Sequence, residues 1–83
     1  MKQLKELAKY YIENSIINKY YTYKDVVIND VNIDGHLCTI FFIGNEYDYT
    51  GKEFLYESEV VETKVNIWEM MAFLYNQSNE NND

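Results

Sequence analysis

The stretch that decides the fold runs from Asp25 to Ile43, Asp-Val-Val-Ile-Asn-Asp-Val-Asn-Ile-Asp-Gly-His-Leu-Cys-Thr-Ile-Phe-Phe-Ile. Two runs rich in Val, Ile, Phe and Thr flank Asp34-Gly35, and an Asp-Gly pair between β-prone arms reads as the two-residue turn of a hairpin. The expected arms are 25–33 and 36–43. A two-residue loop sets the register. It places Ile33 opposite His36, Val31 opposite Cys38, Asn29 opposite Ile40 and Val27 opposite Phe42. That face is mostly apolar and is expected to take the helices. The other face pairs Asn32 with Leu37, Asp30 with Thr39, Ile28 with Phe41 and Val26 with Ile43. It is polar near the turn and apolar at the open end.

Upstream, Leu4, Leu7, Ala8, Tyr11, Ile12 and Ser15 recur at the i, i+3, i+4 spacing of an amphipathic helix, predicted over 3–18. Lys2, Lys5 and Lys9 form a solvated flank beside that stripe. Lys19-Tyr-Tyr-Thr-Tyr-Lys24 connects the helix to the hairpin. Its tyrosines are expected to pack at the seam between helix and sheet. Downstream, residues 44–52 lie between two glycines and read as a loop. Phe54, Tyr56, Ser58 and Val60 then alternate with Leu55, Glu57, Glu59 and Val61, which predicts a third strand over 53–62 with Glu57 and Glu59 outward. A second helix is predicted over 65–77, with Asn66 as N-cap and Glu69 three residues on. Its apolar residues cover more than half the circumference, and Phe73 falls on the polar side. Residues 78–83 read as a disordered tail.

The expected fold class is therefore α+β in the order α-β-β-β-α, a three-stranded antiparallel sheet with two helices on one face. Residues 1–77 would form a single domain, since 83 residues leave room for one.

Charge narrows the function. There are 14 acids against 7 bases, all Lys, for a net charge of −7. Residues 1–24 hold five Lys and two Glu, net +3, while residues 25–83 hold two Lys and twelve acids, net −10. Without Arg, and with this charge, direct nucleic-acid binding is disfavoured. The single cysteine, Cys38, has no internal disulfide partner, which suits a reducing cytoplasm. No apolar run is long enough to span a membrane, and no signal-peptide pattern opens the chain.

Residues that resemble chemistry mostly read as architecture. Asp30-x-Asn32-x-Asp34-Gly35 matches the first half of a calcium loop, but the twelfth position is Phe41 where a bidentate Glu is required. His36 and Cys38 share a strand face without an obvious orienting group. Two such ligands are too few for structural zinc. No phosphate-binding glycine loop is present. The expectation is a protein with no catalytic residues, no metal and no cofactor.

The acids have another use. On the open face Val26, Ile28, Phe41, Ile43 and Leu55 would make an apolar strip beside Asp30, Glu57 and Glu59. Asp34, Glu46, Asp48 and Glu53 would fringe it. Carboxylates on a surface can present the negative pattern of a phosphate backbone to a basic cleft. Tyr47 and Tyr49, alternating with Glu46 and Asp48, could occupy base-stacking sites there.

In size, acidity and element order the chain resembles small phage-encoded inhibitors, notably acidic anti-CRISPR proteins that mimic DNA at the PAM-reading cleft of a nuclease. The resemblance implies a cytoplasmic partner protein with a basic nucleic-acid-binding cleft, such as a CRISPR effector nuclease. The residues expected to meet it are Asp30, Glu46, Tyr47, Asp48, Tyr49, Glu57 and Glu59. The element order is also similar to double-stranded-RNA-binding domains. Where those carry a basic cluster opening the last helix, this chain has Lys64 alone. The alternative expectation is a homodimer or larger homo-oligomer, a structural or adaptor protein joined through Val26, Ile28, Phe41 and Phe73.

Overall fold

The computed structural model describes residues 2–15, 17 and 19–81. The chain is α+β, with helix α1 (Lys2–Asn14), strands β1 (Tyr21–Asp34), β2 (Leu37–Asp48), β3 (Phe54–Glu57) and β4 (Val61–Asn66), and helix α2 (Ile67–Asn81). The antiparallel sheet has four strands rather than three. β2 is central, with β1 along one edge, and β3 and β4 follow one another along its other edge. The expected third strand is thus present but broken at Ser58–Val60. Three residues there span two of β2, and Ser58 stitches the gap: its N–H donates to the Gly44 carbonyl at 2.8 Å, and its Oγ accepts from the Gly44 N–H at 2.9 Å.

The hairpin register differs from expectation. The turn residues are Gly35 and His36, so Asp34 faces Leu37, Ile33 faces Cys38 and Val31 faces Ile40. Gly35 takes φ +62° while His36 stays at negative φ. This is the pattern of a type II′ turn, which wants glycine in its first central place. Two irregularities then change the phase of β1. Asn29 is extra opposite Phe41–Phe42, and Asp25-Val26 together face Gly44. Asp25 carries a positive φ of 53° at this bulge, a conformation that Asp tolerates better than most non-glycine residues. As a result Val26 and Ile28 turn to the helix-covered face, where Val26 is fully buried, and Val27 turns outward. The expected open-face strip through Val26 and Ile28 does not form.

One core lies between the helices and the inner face of the sheet. Ala8, Tyr11 and Ile12 from α1 and Met70 from α2 pack on Tyr23, Val26, Cys38, Ile40 and Phe42. The even-numbered phase of β2 faces inward, as expected. Burial of a side chain such as Phe42 or Ile40 contributes about 1.5–3 kcal/mol. The Val26 N–H, pushed out of the ladder by its bulge, donates to Glu13 Oε2 of α1 at 3.0 Å, so the helix satisfies what the strand gives up.

Asn66 caps α2, its Oδ1 accepting from the Trp68 N–H at 2.8 Å, while the Ile67 N–H donates to the His36 carbonyl at 2.7 Å. The helix continues to Asn81, into the stretch expected to be a disordered tail, since neither Gly nor Pro interrupts it. Residues 82 and 83 lie outside the described residues. Phe73 does not face outward. It packs edge-to-face on Tyr11, with ring centroids 5.4 Å apart, and lies 6.3 Å from Tyr10, at the seam of the two helices. A homo-oligomer joined through Phe73, Val26 and Ile28 therefore has none of those three side chains on an open surface.

Candidate binding surface

The helices cover one side of the sheet and leave the other bare. Strand register orders the bare side into rows: Asp34–Leu37–Asn66, Asn32–Thr39–Lys64, Asp30–Phe41–Glu62, Val27–Ile43, Lys24–Asn45–Glu57 and Thr22–Tyr47–Phe54. Phe41 thus lies half-buried between two exposed carboxylates, with Val27 56% exposed and Ile43 37% exposed in the next row. Acidic and apolar side chains share an uncovered face, though through partly different residues than alternation alone implied. Val27 and Glu62 were missed because the bulge at Asn29 and the break before Val61 are both tertiary adjustments.

The expected site residues separate into distinct places. Asp30, Tyr47 and Glu57 belong to the outer face. Asp30 Oδ1 accepts from the Val31 N–H at 2.9 Å. Asp30, Asn32 and Asp34 are strand residues leading into the hairpin turn, not a calcium loop. Tyr47 stands edge-to-face with Phe54, 5.6 Å between centroids, and Lys24 Nζ sits 4.4 Å from the centre of its ring. That ammonium also donates to the Gly51 carbonyl at 2.9 Å, so this end of the face is partly neutralised.

Asp48 is committed to the turn that follows β2. Its Oδ1 accepts from Thr50 Oγ1 at 2.7 Å, and from the N–H groups of Lys52 and Glu53 at 3.2 and 3.4 Å. The Thr50 hydroxyl, with backbone N–H groups in support, holds its carboxyl below the usual range. Tyr49 projects from the tip of the same turn, 72% exposed. Glu59 is exposed in the break between β3 and β4.

Glu46 is the exception. It faces inward, 4% exposed. The Tyr23 hydroxyl donates to its Oε1 at 2.6 Å, while Oε2 has no hydrogen-bond partner. Burial first, then the hydrogen bond to Glu46 and its charge, push the Tyr23 phenol far up. The Tyr56 hydroxyl is pushed up too, first by its polar contact with Glu46, yet that approach does not reach bonding geometry and leaves Oε2 unsatisfied. An unmet buried acceptor costs about 1–3 kcal/mol, more when charged. Glu46 borders an open hollow of about 380 Å³ with Tyr56, Glu57, Ser58, Glu59, Val60 and Val61. Glu46, Glu57 and Glu59 thus all border this hollow at the edge of the sheet, Glu46 from the inner face and Glu57 from the outer, without their carboxylates converging on one point.

Elsewhere, Cys38 is fully buried and burial pushes its thiol up, which disfavours the nucleophilic thiolate, while His36 sits exposed in the turn. On α2, Trp68, Met71 and Tyr75 form an exposed apolar stripe. Among the described residues no group of three or more His, Cys, Asp or Glu side chains is placed to hold a metal ion, and no helix is long and apolar enough to cross a membrane. No family model, curated protein or solved structure matches the chain.

Proposed function

We propose that this chain is a non-enzymatic acidic binding protein that docks on a basic nucleic-acid-binding cleft of another protein. The reading in its sharper form is a phage-type inhibitor that blocks a host defence nuclease by standing where DNA would lie. The observation that carries it is the row Asp30–Phe41–Glu62 on an uncovered sheet face, in a chain region with net charge −10. An apolar strip flanked by carboxylates, with Lys64 and Lys24 farther along the face, is the kind of surface a basic partner docks on. Carboxylates steer a basic partner and select it, while Phe41, Val27 and Ile43 supply area to bury.

The test is competition. Added to a guide-loaded CRISPR nuclease, the protein should displace a labelled PAM-bearing duplex, with an affinity that falls as salt rises. Asp30→Lys with Glu62→Lys should weaken that displacement about ten-fold or more without loss of folding, because both side chains are solvated. Salt-independent binding, or indifference to the double reversal, would count against docking through this face.

Self-association is a second reading with its own observation, the exposed Trp68, Met71 and Tyr75 on α2. Sedimentation at millimolar protein checks it: a dimer that Trp68→Ser dissociates supports it, and a monomer removes it.

A further inference from the structure

We infer that the hollow beside Glu46 is an anchor site for a guanidinium group, an arginine side chain presented by the protein's basic partner. The inference rests on the reading that the partner is basic, and adds where and how one of its cations is held.

The starting point is the lone acceptor. Glu46 is held by Tyr23 through Oε1, so its carboxylate cannot turn to bring Oε2 into water. A carboxylate buried with one oxygen satisfied and the other bare is a group awaiting a donor. The hollow that Glu46 borders is also where the chain concentrates further acids, with Glu57 and Glu59 on its wall. Sheet geometry explains the opening. α1 packs on β1 and the start of α2 lies by β4, while the break at Ser58–Val60 leaves an open hollow on the inner side beside Glu46 and Tyr56.

The chemistry of the walls selects the occupant. A donor is required, which excludes anions and neutral acceptors. No three ligating side chains among the described residues stand close enough to share a metal ion, which points to an organic cation. Tyr56 sets an aromatic ring beside the carboxylate, and Val60 and Val61 line the apolar side. A planar guanidinium stacks on a phenol ring while its edge donates to carboxylates, whereas an ammonium wants a full shell of acceptors. Tyr56 is more than half exposed, and a ring so placed turns aside on the nanosecond scale to admit the side chain. Once seated, the guanidinium would donate to Glu46 Oε2, with Glu59 at the rim. The Tyr23–Glu46 pair is the preorganised floor.

The probe is N-acetyl-arginine amide, titrated into the intact protein and followed by amide NMR, with N-acetyl-lysine amide and spermidine as parallel arms. The expected result is one saturating curve shared by the amides of Glu46, Tyr56, Ser58 and Glu59, with the arginine probe tighter than lysine. Glu46→Gln should weaken it about ten-fold or more, since a charge-assisted bond is lost. Glu59→Gln, a surface change that cannot disturb folding, should weaken it about two- to three-fold. Glu62→Gln on the outer face should leave the curve unchanged. Shifts that grow without saturation, that spread over Asp30, Asp34 and Glu62, or that persist in Glu46→Gln would overturn the site. Saturation by spermidine well below the arginine probe would overturn the assignment to a partner's side chain. The two readings fail separately. A silent hollow with salt-sensitive nuclease binding removes this inference alone, and a responsive hollow without nuclease binding removes the docking reading alone.

Discussion

Tyr23 and Glu46 show how one pair of residues sets a pH limit on the fold. Tyr23 is buried against a carboxylate, and both circumstances oppose ionisation of its phenol. Its folded pKa is raised above the unfolded value of 10.0, so the folded protein keeps a proton that the unfolded chain releases. The stability tied to that proton is whole below pH 10 and declines as pH rises beyond it. Chemical denaturation at pH 9, 10 and 11 should show the decline, and Tyr23→Phe should flatten it. The same substitution leaves Glu46 with neither oxygen bonded and is expected to cost about 1–3 kcal/mol near neutral pH. A Tyr23→Phe protein as stable as the parent would mean that the Glu46 carboxylate finds another donor.

At the scale of elements, the bulges of β1 decide which residues meet the helices. Asp25 and Val26 together face Gly44, and Val26 fills the space that a side chain at 44 would take. A Cβ on Gly44 would stand 3.1 Å from Val26 Cγ2 and 3.3 Å from the Lys24 carbonyl oxygen. Gly44→Ala is therefore expected to destabilise by about 1–3 kcal/mol through overpacking. If the side-chain contact dominates, adding Val26→Ala restores part of that loss, a coupling that a double-mutant cycle reads directly. Purely additive losses would place the conflict at the Lys24 carbonyl instead. β3 and β4 carry the same lesson. Alternation from Phe54 to Val61 reads as one strand, but Ser58 bonds to both backbone groups of Gly44 and lets the chain step out and back, which splits the strand and opens the hollow beside Glu46.

For the whole molecule, the governing quantity is charge. Twelve acids against two lysines between residues 25 and 83 repel one another across a domain of radius of gyration 12.7 Å. Screening shortens the reach of that repulsion from about 30 Å at 0.01 M salt to about 8 Å at 0.15 M. The melting temperature should therefore rise over that range, while affinity for a basic partner should fall. A melting temperature that drops with salt would mean that attractive pairs, such as the long Lys9–Glu13 contact at 4.0 Å, outweigh the repulsion. The opposite slopes distinguish an acidity that serves recognition from one that only keeps the chain dispersed, since a solubility device predicts the first slope and not the second.

Several features were legible in the residues themselves because they depend on near neighbours. The period of Ala8, Tyr11 and Ile12 marks the buried face of α1, Asn66 announces the start of α2, and the even phase of β2 places Cys38, Ile40 and Phe42 inside. The α+β class follows from those local patterns, as does the excess of acid in the body of the fold. Tertiary structure alone decided the rest. Whether Asp34-Gly35 or Gly35-His36 makes the turn depends on which register lets the core close, and the two differ by a shift that rearranges every pair along the hairpin. The bulge at Asn29 brings Ile28 onto the core face with Val31, and the one at Asp25-Val26 brings Tyr23 there with Val26; in each case residues three apart share a face, which no strand period of two contains. Glu46 reads in sequence as one more loop carboxylate among many. Only the packed sheet places it inward against Tyr23, because burial is a property of what the rest of the chain does around a residue.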